Sequence, residues 1–254
     1  MELSIPAASL VGVLLGGIRA TAWLFIAPGF GSWIPPTVRA LLAFALVLPA
    51  ADTLAGQAPP LTTAGLVSAA VLQVGIGAAL GFLTYLMFAA VQAAGDFIDI
   101  TSGYSLSTAF DPLSAASSSV FGRLHQMLAV ALLFATNLHL VLLRGFITSF
   151  EALPLGARLS LDTLGGLLVD GIGRMFLSAA QIAGPLVAVL FLADVGLALL
   201  TRVAPTLNAF SVGFPVKMLV TLLIVGVTVP ALPGALERLV DTGNRAVGAL
   251  LGLT

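Results

Sequence analysis

The chain has 254 residues, 59% of them apolar and 8% charged, with ten basic and eleven acidic side chains nearly cancelling and a mean hydropathy of +1.13. A soluble fold of this size has too little interior to hide that much apolar surface, so the chain belongs in lipid or in an assembly embedded there. It holds no cysteine, which removes disulfides, thiolate chemistry and cysteine metal sites, and no basic run that would suggest nucleic acid.

The first apolar segment runs from about Ile5 to Pro28 and is interrupted by Arg19. Its Ala20-Thr21-Ala22 imitates a secretory cleavage site, but the only early charge is Glu2, so a retained helix is expected. Gly29-Phe30-Gly31-Ser32-Trp33-Ile34-Pro35-Pro36 then breaks helix. The second segment, Arg39 to Pro49, would reach only ~17 Å at 1.5 Å per residue, short of a ~30 Å hydrocarbon core. The third follows Pro59-Pro60 and continues to about Gly95. Between Asp52 and Asp96 lie 43 residues without a charge. At the ~25% charge content of soluble domains such a gap has a probability of roughly four in a million. This third segment would span ~50 Å, so it must tilt, protrude or bend, with Gly75, Gly77 and Gly81 as places to do so.

The fourth segment covers Leu124 to Leu143, the fifth roughly Leu164 to Leu200, and the last Met218 to Leu236, whose end Pro230 and Pro233 bend. The expectation is an all-α membrane protein of about six long, kinked or uneven helices. Gly12-x-x-x-Gly16 and Gly77-x-x-x-Gly81 are spaced for close helix contact. With six spans, Arg39, Arg123, Arg202 and Lys217 fall toward one side and Arg144, Arg158, Arg238 and Arg245 toward the other, a tie that leaves orientation unassigned.

Enzyme signals are absent. His125 and His139 are 14 residues apart, ~21 Å along one helix, too far to share a metal ion. No nucleophile motif marks a serine, Gly95-Asp96 lacks the first glycine of an aspartyl-protease Gly-x-Gly-Asp, and there is no phosphate-cradling loop. No catalytic residue, metal or cofactor is expected. The lone charges carry more weight, because ionisable groups at membrane depth are costly and often functional. Asp96 and Asp99 share one helical face and either line a polar path or end their helix at water. Asp170 and Arg174 are spaced for an intrahelical pair. Asp194 and Arg19 each need a partner on another helix or a water-filled path.

Thr101 to Ser119 is the most informative polar stretch: nine of its nineteen residues are Ser or Thr, and Phe110-Asp111-Pro112 gives a turn at its centre. Tyr104, Leu106, Phe110 and Leu113 add apolar groups that a plain solvent loop would not need. Non-helical backbone at membrane depth must be buried in protein or line a cavity, so the choices are a re-entrant plug or a surface loop.

Four blocks now carry a resemblance. They are RATAWLFIAPGFGSWIPPTVRALLA (19–43), AAVQAAGDFIDITSGYSLSTAFDP (89–112), NLHLVLLRGFITSFEALPLG (137–156) and LALLTRVAPTLNAFSVGFPVKML (197–219). In this order they resemble the flagellar export-gate family FliR and its injectisome relatives, the SctT proteins. The resemblance implies a FliP-like part over 1–170 followed by a FliQ-like helical hairpin over 171–254. It further implies a closed ring with FliP and FliQ around a pore, with FlhB and FlhA docking on the cytoplasmic side. Unfolded flagellar subunits would pass through this gate, which would sit in the bacterial inner membrane within the flagellar basal body.

Carried over to this chain, the segment Tyr104 to Phe121 becomes a pore plug, with Leu106, Phe110, Asp111, Pro112 and Leu113 within it. Arg202, Pro205, Asn208, Gly213, Phe214, Pro215 and Lys217 become a hairpin loop facing FlhB. The family shows Asn-Gly-His where this chain has Asn137-Leu138-His139, and glutamate is common where Asp96 stands. An injectisome role is the alternative. A small-solute transporter using Asp96, Asp99 and Asp194 is a more distant one, since no internal repeat is apparent.

Overall fold

A computed structural model describes residues 7–28, 34–57, 59–105, 119–156, 161–204 and 209–251. Every regular element among them is helical. The order is α1 (Ala7–Ile26), α2 (Pro36–Val47), a 3-10 turn at Leu48–Ala50 leading into α3 (Ala51–Ala55), α4 (Thr63–Ser102), α5 (Val120–Ala135), α6 (Leu138–Ala152), α7 (Leu161–Val203), α8 (Ala209–Thr228), a second 3-10 turn at Val229–Ala231, and α9 (Leu232–Leu250). Five helical stretches are long and apolar enough to cross a membrane, or six when the bent pair α5–α6 is one span. The chain is an all-α membrane protein.

The segments differ from the sequence expectation in four places. The second is not short: α2, the Leu48–Ala50 turn and α3 together give a 20-residue apolar stretch, because the turn keeps the chain helical between them. The third continues past Gly95 to Ser102 as one unbroken helix of 40 residues, ~60 Å long. The fourth is not one helix: it breaks at Thr136–Asn137, where Asn137 takes the left-handed conformation at φ 59°. Asparagine tolerates that region better than most residues. The last does not end at Leu236: α8, the Val229–Ala231 turn and α9 make one apolar stretch from Ser211 to Leu250.

The chain forms two compact units that interleave in sequence. The first comprises Met1–Met87, Leu133–Ile172 and Val240–Thr254. Its helices meet through glycines. A Cβ on Gly12 would lie 2.6 Å from the Leu54 carbonyl oxygen, and one on Gly16 would lie 2.8 Å from Val47. On α4, a Cβ on Gly77 would overlap the Arg19 carbonyl, and one on Gly81 would fall 2.8 Å from Ile26. Both Gly-x-x-x-Gly spacings are thus used for helix contact, the first against α2–α3 and the second against α1. Trp23 stacks on Phe146 at 4.7 Å, and Phe146 meets Phe150 edge-on at 5.3 Å.

The second unit comprises Phe88–Leu132 and Gly173–Leu239. Its core joins Ala94 and Ile98 of α4, Phe121 of α5, Ala183, Leu186 and Leu190 of α7, and Val225 of α8. Much of the apolar surface here stays uncovered: Phe176, Phe191, Leu192 and Val203 on α7 and Leu219, Leu223 and Val227 on α8 are exposed. The most apolar stretch of α7 is 17% buried, against 44% for α4, so α7 presents most of its surface to lipid or to other chains.

Candidate functional site

The polar connection between α4 and α5 is anchored at both ends by one residue. Helix α4 continues past Asp96 and Asp99 to Ser102 and stops at Gly103, whose φ of 87° suits a residue without a Cβ. Asp99 is 2% exposed. Its Oδ2 accepts a hydrogen bond from the Phe121 backbone N–H at 3.1 Å and another from the Ser119 hydroxyl. Its backbone oxygen accepts from the Ser102 hydroxyl at 3.2 Å and from the Ser105 N–H at 3.4 Å. Ser119 in turn caps α5, its Oγ accepting from the Gly122 N–H at 2.8 Å. The Asp99 carboxylate therefore lies at the positive end of the α5 dipole.

Glycine makes this approach possible. A Cβ on Gly95 would overlap the Phe121 carbonyl and the backbone of Gly122, and a Cβ on Gly122 would overlap Asp96 Oδ1. The two backbones touch directly, with Asp96 half-buried beside the seam. The Tyr104 ring stands edge-on to Phe121 at 5.1 Å. His125 is buried one turn further along, with Nδ1 2.8 Å from the Phe121 oxygen.

Two expectations change here. Asp99 does not end its helix in water; it is buried and completes the start of the next helix. Phe121 belongs to the first turn of α5 rather than to a loop, while Tyr104 stands in the turn after α4. Leu106, Phe110, Asp111, Pro112 and Leu113 lie outside the described residues.

The hairpin of α7 and α8 corrects a second loop assignment. Gly213, Phe214, Pro215 and Lys217 are helical, because α8 already begins at Ala209; Pro215 sits inside the helix. Pro205 and Asn208 lie outside the described residues. Arg202 is exposed in the last turn of α7, where a cation suits the helix C-terminus. Asp194 has its partner on the neighbouring helix: Lys217 Nζ lies 2.9 Å from its Oδ1 and 3.0 Å from its Oδ2. Gly213 fits against Leu197 in the same hairpin, where a Cβ would come to 3.0 Å.

In the first unit Arg19 is fully buried and forms a clamp. Its Nε donates to Gln73 Oε1 at 2.6 Å, Nη1 to the Ser149 oxygen at 2.8 Å and Nη2 to the Leu153 oxygen at 2.7 Å. The guanidinium also lies 4.7 Å from the centre of the Phe150 ring. Gln73 extends the network by donating to the Leu155 oxygen at 3.0 Å. Arg19 thus binds α1 to α4 and to the end of α6: the Ser149 oxygen, which also accepts from the Leu153 N–H at 3.0 Å, and the Leu153 oxygen just past the helix.

Sequence reading missed Ser119, Gln73, Gly95 and Gly122. Ser119 carried a usable signal, a serine directly before an apolar helical run. So did Gln73, one of three glutamines within the uncharged stretch 53–95. The glycine contacts carried none, since 27 glycines offer too many pairs.

Residues 10–243 match the family model described as bacterial export proteins, family 1. The chain is 32% identical to the flagellar biosynthetic protein FliR of Escherichia coli over 207 residues, 81% of this chain and 79% of that one. It is 34% identical to the FliR of Bacillus subtilis over 149 residues, 58% of each chain. It is also 28% identical to the Yop proteins translocation protein T of Yersinia pestis over 144 residues, 56% of this chain and 55% of that one.

Proposed function

Because the chain belongs to the bacterial export proteins, family 1, we propose that it is a structural, pore-forming subunit of the flagellar type III export gate. With FliP and FliQ it builds the channel through which unfolded flagellar proteins cross the bacterial inner membrane within the basal body. FlhB and FlhA dock on this gate. The role is architectural rather than catalytic, and it needs no cofactor.

One observation carries the reading: the match to flagellar FliR extends over about four-fifths of both chains. The exposed apolar faces of α7 and α8 suit a subunit covered by neighbours and by lipid. Residues 1–170 serve as the FliP-like part, and 171–254 as the FliQ-like hairpin with its C-terminal tail. The pairing of Asp194 with Lys217 across α7 and α8 favours treating those two helices as one hairpin. The segment 104–121 serves as the plug, and the turn after Arg202 faces FlhB.

The likeness to the Yersinia translocation protein supports a second reading, the same subunit in an injectisome. Native mass spectrometry after co-expression with FliP-like and FliQ-like proteins of the same genome tests the assembly. A discrete complex holding one copy of this chain is expected, and a monomer or homodimer that ignores both partners overturns the proposal. Restoring motility, rather than effector secretion, in a strain lacking its own subunit separates the flagellar from the injectisome role.

A further inference from the structure

We infer that Asp99 is a positioning residue that staples the start of α5 to the end of α4, at the two ends of the connection between them. The inference rests on the export-gate reading for its functional consequence, but on the described residues for its geometry.

Asp99 is bonded from both directions along the chain. Ser102 and Ser105, which lead into the connection, donate to its backbone oxygen. Ser119 and Phe121, which lead out, donate to its carboxylate. Tyr104 and Phe121 close the same gap with an edge-on ring contact. Beneath them the Gly95–Gly122 seam removes any side chain that would hold the helices apart. Residues 106–118 lie outside the described residues, and the inference concerns only their anchors.

A carboxylate suits this position for two reasons. It accepts from two donors at once, and it faces the positive end of α5, which an amide opposes less well. Its other oxygen, Oδ1, is buried with no hydrogen-bond partner among the described residues. A buried acceptor left in that condition is costly. A group present only to end α4 would not need to be buried. Retaining an acid there makes sense if the position of α5 relative to α4 is what it secures.

The test uses the full chain assembled with its FliP-like and FliQ-like partners. The chain has no cysteine, so Ile100→Cys and Arg123→Cys place two spin labels once the partners' own cysteines are replaced. Asp99→Ala is expected to broaden the label-to-label distance distribution. It should also raise the resting ion conductance of the reconstituted complex at least tenfold, with the yield of assembled complex unchanged. Asp99→Asn, which keeps an acceptor, should fall between Asp99→Ala and wild type.

A narrow distribution and wild-type conductance in Asp99→Ala overturn the inference. Deleting Ser114–Ser118 in parallel separates the two claims. A leak from the deletion but not from Asp99→Ala sinks the staple and spares the export-gate reading. No leak from the deletion sinks the plug, and the distance distribution alone then decides on the staple. Should Asp99→Ala fail to assemble, Ser119→Ala, which removes one of the two donors, replaces it under the same criteria.

Discussion

Lys217 on α8 reaches back to Asp194 on α7 and grips both carboxylate oxygens, at 2.9 and 3.0 Å. The Lys217 side chain is 18% exposed and Asp194 52%, so the pair stands half in the open. Lys217→Glu should lower the thermal stability of the chain by setting two carboxylates side by side. The exchange Asp194→Lys with Lys217→Glu should recover most of the loss. Melting curves of the wild type and the two variants in detergent check this, and a swap no more stable than Lys217→Glu alone would contradict the pairing.

The same geometry bears on Asp194 as an ion site. A transporter that cycles ions on that carboxylate loses activity with Asp194→Asn. A gate subunit in which Asp194 pairs with Lys217 should retain at least half of its swimming-zone diameter in soft agar. Abolished motility with intact assembly would revive the transporter reading.

Arg19 contrasts with that pair. It is fully buried, and three of its nitrogens are bound to Gln73 and to the carbonyls that end α6. Arg19→Ala strips the charged donor from Gln73 Oε1 and the Leu153 oxygen, while the Ser149 oxygen keeps the Leu153 N–H, and should cost roughly 3–5 kcal/mol. Arg19→Lys should recover little, since an ammonium cannot supply a planar fork to separate acceptors. Chemical denaturation of the purified chain reads both, and full rescue by lysine would show that charge alone matters there.

Much of the fold was legible in the sequence, because hydrophobic length is a property of the chain itself. The uncharged run before Asp96 marked α4, and Pro230 stands in the turn between α8 and α9. The break at Asn137 was hidden because Leu138 and the residues after it stay apolar on both sides of the turn. The family resemblance assigns Gly213 to Lys217 to a hairpin loop, and the structure makes them helix. In a membrane helix Pro215 is tolerated, since neighbouring groups compensate for the lost backbone bond. The polarity of Asp99 and Ser119 was visible. That they meet across a gap of nineteen residues depends on how α4 and α5 pack, which periodicity does not encode.

Gly75 and Gly77 make a matched comparison two residues apart on α4. Nothing lies within 4 Å of a Cβ built on Gly75, whereas one on Gly77 strikes the Arg19 carbonyl. Gly75→Ala should be neutral or stabilising by up to about 1 kcal/mol, because alanine orders the unfolded chain and favours helix. Gly77→Ala should cost about 1–3 kcal/mol, the range for overpacking a tight contact. Equal melting temperatures for the two variants would mean that α1 and α4 do not meet through Gly77.

The seam between α4 and α5 yields a suppression test that separates side-chain crowding from backbone crowding. Gly122→Ala places its methyl group against Asp96 Oδ1 and within 2.6 Å of Ser119 Oγ, both of which belong to side chains. Removing the carboxylate with Asp96→Ala should therefore restore part of the export lost in Gly122→Ala. Gly95→Ala instead meets the Phe121 carbonyl and the Gly122 backbone, which no side-chain substitution moves. Asp96→Ala should leave Gly95→Ala as impaired as before. Secreted hook or filament protein in culture supernatants gives the measurement. Rescue of both variants would mean that Asp96 acts through its charge rather than its volume, and failure to rescue either would place the strain in the backbone of α5 itself.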